Sequence, residues 1–170
     1  MLISLLNHSD RVTAACQAQL VNVIAPIRAE PGKPAWRQTI FYPFAETATK
    51  ARGSTLRPAI DAPRLDTAEH GTVAAIDVAA TVSGDSVAVF LVNRHPGHAL
   101  GVEIRLQNLP RIGAARHAVL TDDDLTARNT CHDPNRVLLG RGTLTPASDR
   151  WLNVTLPPAS WNMVTFSSAG

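Results

Sequence analysis

The segment IDVAATVSGDSVAVFLVNR, residues 76–94, decides the fold of this 170-residue chain. In its first half Ile76, Val78, Ala80 and Val82 alternate with other residues and therefore share one face of a strand. A Ser-Gly-Asp-Ser turn follows, and the second half is apolar on both faces, as is typical of a central strand in a β-sandwich. The segment predicts two strands joined by a tight turn in a mainly β protein.

The two-residue period continues towards the C-terminus. GVEIRLQ (101–107) places its aliphatic residues on one face, the stretch from Leu152 to Leu156 alternates likewise, and SWNMVTF (160–166) follows near the end. Pro, Gly, Asn and Asp separate these short runs, which is the pattern of an antiparallel sandwich. We therefore predict an antiparallel β-sandwich, of jelly-roll type, over residues 54–170.

Residues 1–53 have a different character. Ser9 and Asp10 resemble a helix start, and the apolar residues after them recur at helical spacing as far as Pro26. These apolar residues are Val12, Cys16, Leu20, Val23 and Ile24. A turn-rich loop, a strand beginning at residue 35 and a helix ended by Gly53 complete an α/β unit. Because one such unit cannot cover its own apolar faces, we expect residues 1–53 to be an incomplete fragment.

Composition excludes several classes of protein. The net charge is +2 and the basic residues form no cluster, so we expect no nucleic-acid partner. No run approaches the roughly 20 apolar residues of a membrane span, and the first ten residues do not form a convincing signal peptide. Cys16 and Cys131 lie far apart without a Cys-x-x-Cys neighbour, which favours a reducing, cytoplasmic setting.

The four glutamates do not form a catalytic pair. Glycoside hydrolysis normally needs two carboxyl groups that face each other across the scissile bond. Nothing in the sequence marks any two of the glutamates as such a pair. The four glutamates are Glu30, Glu46, Glu69 and Glu103. A Gly-x-Ser-x-Gly motif, which would indicate a serine nucleophile, is also absent.

Two polar clusters resemble metal ligands but lack the spacing of a known site. The acidic run 122–124 has hard oxygen ligands for calcium, yet not the alternating ligands and later glutamate of an EF-hand loop. His95 and His98 flank a Pro-Gly turn, and no further residues stand at zinc-binding spacing. We interpret both clusters as solvated turns and expect no metal and no organic cofactor.

Two sets of residues leave a choice between binding and packing. Trp151 and Trp161 stand on alternating strands, where a large aromatic residue more often packs than stacks on a sugar ring. Trp36, Arg37 and Gln38 fall where a buried strand ends and a helix begins, which is where a (β/α)8 barrel binds substrate. Gln38 both donates and accepts hydrogen bonds and so suits the orientation of sugar hydroxyls. The alternative is a packed aromatic junction with a satisfied amide.

Four segments resemble one enzyme family. QAQLVNVIAPI (17–27) followed by PAWRQTIFYPF (34–44) is similar to the end of the barrel in the α-L-arabinofuranosidases of glycoside hydrolase family 51. LTDDDLTARNTCHDPNRV (120–137) resembles the family's Leu-x-Ala-x-Asn stretch with a following proline, and LPPASWNMVTF (156–166) resembles its closing strand. The resemblance covers nearly the whole chain.

The resemblance implies an enzyme with a catalytic (β/α)8 barrel and a C-terminal jelly roll. Family members remove terminal α-L-arabinofuranosyl groups from arabinan and arabinoxylan oligosaccharides with retention, through a glutamate nucleophile and a glutamate acid/base on upstream barrel strands. This chain has neither glutamate, so we expect it to be inactive by itself. Only Gln38 matches a substrate contact of the family. Residues 1–53 would then be the last helix, strand and helix of the barrel.

Two further expectations complete the interpretation. The family resemblance implies that self-association into a homo-oligomer is plausible. The alternative function is a stand-alone β-sandwich module that binds carbohydrate or another subunit through its aromatic residues.

Overall fold

The computed structural model describes residues 1–107 and 111–168. These residues form two helices and thirteen strands. In chain order they are α1 (Leu2–Asn7), β1 (Ile27–Arg28), β2 (Trp36–Arg37), α2 (Phe41–Lys50), β3 (Ser54–Leu56), β4 (Arg64–Thr67), β5 (Gly71–Ala74), β6 (Ile76–Ser83), β7 (Ser86–Asn93), β8 (Leu100–Arg105), β9 (Ile112–Leu120), β10 (Gly140–Arg141), β11 (Thr143–Pro146), β12 (Trp151–Leu156) and β13 (Ser160–Ser168).

Two antiparallel sheets make the sandwich. The larger sheet has the strand order β10-β9-β13-β7-β6-β3, and the smaller sheet has the order β11-β12-β8. Two further two-stranded ribbons, β1-β2 and β4-β5, stand beside them. The predicted mainly β sandwich is confirmed, whereas its jelly-roll topology stays a prediction.

The segment 76–94 occupies the middle of the larger sheet, as its pattern predicts. β6 and β7 pair in register from Ile76 opposite Asn93 to Ser83 opposite Ser86. β7 is apolar on both faces because each face is covered. Its residues Val87, Val89 and Leu91 face the smaller sheet in the main core, while its intervening residues face the opposite side.

The main core lies between the two sheets. Leu152, Val154 and Leu156 of β12 are at most 2% exposed and pack against the inward side chains of β6, β7 and β13. Because each such side chain removes its apolar surface from water, each stabilises the domain by about 1.5–3 kcal/mol. The alternation that predicts β12 therefore reflects direct burial between the sheets.

A second core covers the outer face of the larger sheet. Phe90 is fully buried there, and Ile3 of α1 packs against the same cluster. The side-chain amide of Asn7 donates to the carbonyl oxygen of Val78 at 3.0 Å, which fixes α1 on β6. The N-terminal residues are thus attached to the sandwich, and the division of the chain at residue 53 stays a prediction.

The predicted amphipathic helix that starts at Ser9 and ends at Pro26 is wrong. Helix α1 ends at Asn7, and no helix is present from residue 8 to residue 26. Leu20, Val23 and Ile24 are 72%, 71% and 59% exposed, so the apolar stripe has no surface to pack against among the described residues. Since most helical stability in proteins comes from such packing, the spacing alone does not hold a helix.

The predicted strand and helix after residue 26 are closer to the observed structure. The strand expected near residue 35 is β2, at Trp36–Arg37, and Gly53 follows the expected helix. That helix begins at Phe41 rather than residue 45, and Pro43 lies in its first turn, where a missing N–H is tolerated. Gly53 has φ +75° and approaches the backbone of β6 so closely that a Cβ there would overlap the carbonyl oxygen of Val82.

Candidate functional site

The candidate site starts at the ribbon formed by β1 and β2. Ile27 pairs with Arg37 and Arg28 pairs with Trp36, so that the chain leaves the ribbon at Gln38 and enters α2. This arrangement brings the three site residues suggested by the sequence to the junction of a strand and a helix. The expected junction is therefore present in the structure.

Trp36 has a packing role. Its side chain is 8% exposed, and its indole N–H donates to the backbone oxygen of Asn129 at 3.2 Å. Arg37 is exposed, and its guanidinium lies 4.8 Å from the centre of the Phe41 ring. Both residues thus favour the interpretation of an aromatic junction.

Gln38 has one end of its amide occupied. Its side-chain nitrogen donates to the carbonyl oxygen of Ala25, and its backbone N–H donates to the oxygen of Pro26 at 2.8 Å. The side-chain oxygen has no hydrogen-bond partner in the part of the chain that the structure describes. Gln38 is half-buried, so this oxygen is available as an acceptor with a fixed orientation.

The buried amide of Asn129 joins this ribbon to the sandwich. Asn129 is 5% exposed, and its nitrogen donates to the backbone oxygens of Arg37 and Val137, both at 3.0 Å. Its oxygen accepts the backbone N–H of Val137 at 2.8 Å. Together with the indole bond from Trp36, these contacts hold residues 36–37 against the 121–139 loop. We call this set of contacts the Asn129 junction.

An ion pair lies beside the Asn129 junction. Lys33 and Glu30 are 2.7 Å apart, and the Lys33 ammonium also lies 3.6 Å from the sulfur of Cys131. The hydrogen bond between the two charged groups lowers the pKa of Glu30 and raises the pKa of Lys33. Because both side chains are solvent-exposed, the pair orients the 28–34 loop more than it stabilises the fold.

The four glutamates lie in four different parts of the structure. Glu30 bonds with Lys33, and Glu103 of β8 forms an ion pair with Arg105. Glu46 lies on α2, and Glu69 lies in the turn between β4 and β5. The two glutamates in ion pairs use their carboxylates in those contacts.

The acidic run 122–124 uses its carboxylates for local hydrogen bonds. Asp122 accepts from the backbone N–H of Asp124 at 3.0 Å and from Arg136 at 2.9 Å. Asp124 accepts from the hydroxyl and the backbone N–H of Thr126, and these bonds lower the pKa of Asp124. Within residues 1–107 and 111–168, no group of three or more His, Cys, Asp or Glu side chains is placed to hold a metal ion.

The remaining candidate residues are the two histidines of the 95–98 turn and the two tryptophans of the sandwich. The rings of His95 and His98 stack with centroids 4.2 Å apart, and Nδ1 of His95 accepts the backbone N–H of His98 at 3.0 Å. Trp161 packs against Phe90, at 6.4 Å between centroids. Trp151 is 43% exposed and has the Arg105 guanidinium 4.6 Å from its ring centre.

The sequence interpretation missed the buried polar residues. In the sequence Asn129 stands out only as part of a family pattern, and no motif indicates a role for Asn93, His117 or Asn162. They are 2%, 2% and 0% exposed. A polar residue at an inward position of an alternating strand is the available signal, since such groups are buried only with partners.

We predict that Asn129→Ala weakens the fold by about 3 kcal/mol, because it leaves several buried backbone groups without their partners. Urea denaturation measures the change. The matched control is Asn135→Ala, which removes an exposed asparagine from the same loop and should change stability by less than about 0.5 kcal/mol. Equal stability losses in the two variants would contradict the role given to the Asn129 junction.

Comparison with known proteins identifies the family. The family described as the α-L-arabinofuranosidase C-terminal domain matches residues 1–160. An intracellular exo-α-(1→5)-L-arabinofuranosidase of Streptomyces lividans is 46% identical over 96% of this chain and 25% of its own length. An exo-α-(1→6)-L-arabinofuranosidase of Bifidobacterium longum is 45% identical over 96% of this chain and 32% of its own length.

Comparison with solved structures leads to the same family. A family 51 α-L-arabinofuranosidase from Bifidobacterium longum superimposes with a TM-score of 0.90 at 41% identity, covering 96% of this chain and 32% of that protein. The chain thus spans about a quarter to a third of the length of the relatives it matches. It belongs to the family of α-L-arabinofuranosidase C-terminal domains.

Proposed function

We propose that this chain is the non-catalytic C-terminal part of a cytoplasmic exo-acting α-L-arabinofuranosidase. The enzyme removes terminal α-L-arabinofuranosyl groups from arabinan or arabinoxylan oligosaccharides with retention. The upstream part of the enzyme, which contains the rest of the catalytic barrel, supplies both glutamates. One observation carries the proposal. The matching region is 96% of this chain, but it is only 25–33% of the length of each relative named an arabinofuranosidase.

An exposed apolar segment supports this proposal. Leu20, Val21, Val23 and Ile24 are between 43% and 72% exposed, although a soluble domain normally hides such a group of side chains. The segment adjoins the candidate site, because Val21 bridges to Ile27. A catalytic domain that packs here would cover the apolar surface and place its substrate pocket beside Gln38. Self-association through the same surface is the corresponding expectation for the chain alone.

Gln38 then has a defined task. The bond from its nitrogen to Ala25 leaves the side-chain oxygen oriented and unpaired among the described residues. A sugar hydroxyl is a suitable donor to this oxygen. Gln38 would therefore orient the arabinofuranosyl group rather than take part in bond cleavage.

The names of two relatives support the cytoplasmic location proposed here. The Streptomyces lividans and Bacillus subtilis relatives are named intracellular enzymes. Neither helix of the described residues has the length and apolar character needed to cross a bilayer.

One observation favours the alternative of a carbohydrate-binding module. Trp151 is 43% exposed on the smaller sheet, where its neighbours across the strand pairs include Arg105. A flat aromatic side chain with a polar neighbour suits stacking against a sugar ring. Binding of oligosaccharide by the chain alone would support this second function.

We predict that the chain alone does not hydrolyse an aryl α-L-arabinofuranoside. Retaining hydrolysis requires a nucleophile and a proton donor in one site, and the glutamates of this chain lie in separate elements. A chromogenic assay measures turnover against the uncatalysed rate. Activity that survives repurification and disappears in Glu46→Gln or Glu103→Gln would contradict the assignment.

We predict that Gln38→Ala lowers kcat/KM at least severalfold in the enzyme that includes the catalytic domain. Loss of one neutral hydrogen bond to the substrate costs about 1 kcal/mol, and more if that bond strengthens in the transition state. Steady-state kinetics and thermal melting are measured together. The control, Gln107→Ala, removes an exposed glutamine of the sandwich and should leave kcat/KM unchanged.

The two readouts separate binding from packing. An unchanged kcat/KM in Gln38→Ala would remove Gln38 from the substrate site. A large fall in melting temperature, in the chain alone as well as in the enzyme, would show that the amide only holds the 25–26 segment.

A further inference from the structure

An open depression lies where the end of α2 meets the larger sheet. Its volume is about 470 Å³, which is within the size range of small-molecule sites. Thr49, Lys50 and Arg52 form one side, and residues of β6, β7, β9 and β13 form the rest. No described residue that lines it is acidic, whereas Lys50, Arg52 and Arg116 are basic. We call this space the basic depression.

The three basic side chains are available to a ligand. Each is exposed, and within residues 1–107 and 111–168 none of them forms an ion pair. Glu46, one turn earlier on α2, and Asp85, in the turn between β6 and β7, are therefore not paired with them. A concave surface lined by charges of one sign focuses the electric field and attracts a ligand of the opposite sign.

The strands contribute hydroxyl groups to the same depression. The pairing of β6, β7 and β13 places three serines opposite one another, in the order Ser83, Ser86 and Ser167. In the next row Thr165 stands opposite Arg116 of β9. These four hydroxyl groups form no hydrogen bond with the part of the chain that the structure describes. They can both donate to a ligand and accept from it.

The two kinds of group together indicate the chemistry of the ligand. A phosphate monoester carries a charge of about −1.5 to −2 near neutral pH and three acceptor oxygens. Guanidinium and ammonium groups are the side chains that bind such a group most strongly. An inorganic phosphate ion would leave the serine row without a partner, whereas the hydroxyl groups of a phosphorylated sugar can use it.

We propose that the basic depression is a binding site for a phosphorylated sugar. Lys50, Arg52 and Arg116 bind the phosphate, and the hydroxyl groups of the serine row bind the sugar. The site uses neither Gln38 nor any residue of the Asn129 junction, so it is independent of the function proposed above.

The test is a titration of this chain with ribose 5-phosphate, followed by calorimetry and by NMR. Ribose and inorganic phosphate, the two parts of this probe, are titrated in parallel. Ribose 5-phosphate should bind about tenfold more tightly than either part, because only the intact probe reaches both sets of groups. It should shift the backbone resonances of residues 83–86 and 165–167. Absence of binding, or equal affinity for one of the parts, would overturn the proposal.

Two variants and a matched control locate the site. Lys50→Gln and Arg116→Gln each remove one exposed positive charge, from α2 and from β9 respectively. Each should weaken the binding of ribose 5-phosphate about tenfold, the scale of one charge-assisted hydrogen bond. Arg128→Gln removes the same charge from an exposed arginine of the 121–139 loop and should leave the affinity unchanged.

Three other patterns would refute the proposal. Equal losses in all three variants would show that only the net charge of the chain matters. Unchanged affinity in both Lys50→Gln and Arg116→Gln would place the bound sugar phosphate outside the depression. If a polyglutamate peptide binds and these two variants weaken it while ribose 5-phosphate does not bind, the depression receives an acidic protein instead.

Discussion

The buried amide of Asn129 determines how the N-terminal part of this chain meets the sandwich. It binds backbone groups of both β2 and the 121–139 loop. The indole N–H of Trp36 adds a hydrogen bond to the backbone oxygen of Asn129. A buried amide has little freedom once its donors and acceptors are all engaged. Trp36, Arg37 and Gln38 therefore hold a fixed position relative to the sandwich. A residue at this junction is therefore positioned by its contacts with the sandwich.

Buried polar side chains also organise the turns at the end of the sandwich where the 121–139 loop begins. Asn93 donates to the backbone oxygens of His98, Leu156 and Pro157, and it accepts the backbone N–H of His95. These bonds hold together the turn that follows β7 and the turn that precedes β13, at one end of this strand pair. A few amides thus replace the regular strand pairing where the chain turns, while apolar burial between the sheets supplies the driving force.

The strands could be predicted from the sequence because their period is a direct consequence of burial. β6, β7 as far as Leu91, and β12 each place apolar side chains between the sheets at every second position, and this pattern needs no knowledge of the partner strand. The fold class and the place of the strand–helix junction at Gln38 followed from such patterns. The conformation of residues 8–26 did not, because the helical spacing of Leu20, Val23 and Ile24 predicts a buried stripe and these side chains are exposed. The Asn129 junction could not be predicted from such patterns, since it depends on a contact with the backbone of Arg37, 92 residues away in sequence.

We propose that this chain functions as one part of a larger arabinofuranosidase. The most direct test is the intact mass of the native protein, isolated from its source cells with an antibody against this chain. Because the chain spans 25–33% of the length of its relatives, we expect a polypeptide three to four times the mass of 18.2 kDa, with arabinofuranosidase activity in the same fraction. A native polypeptide of 18.2 kDa without that activity would contradict it.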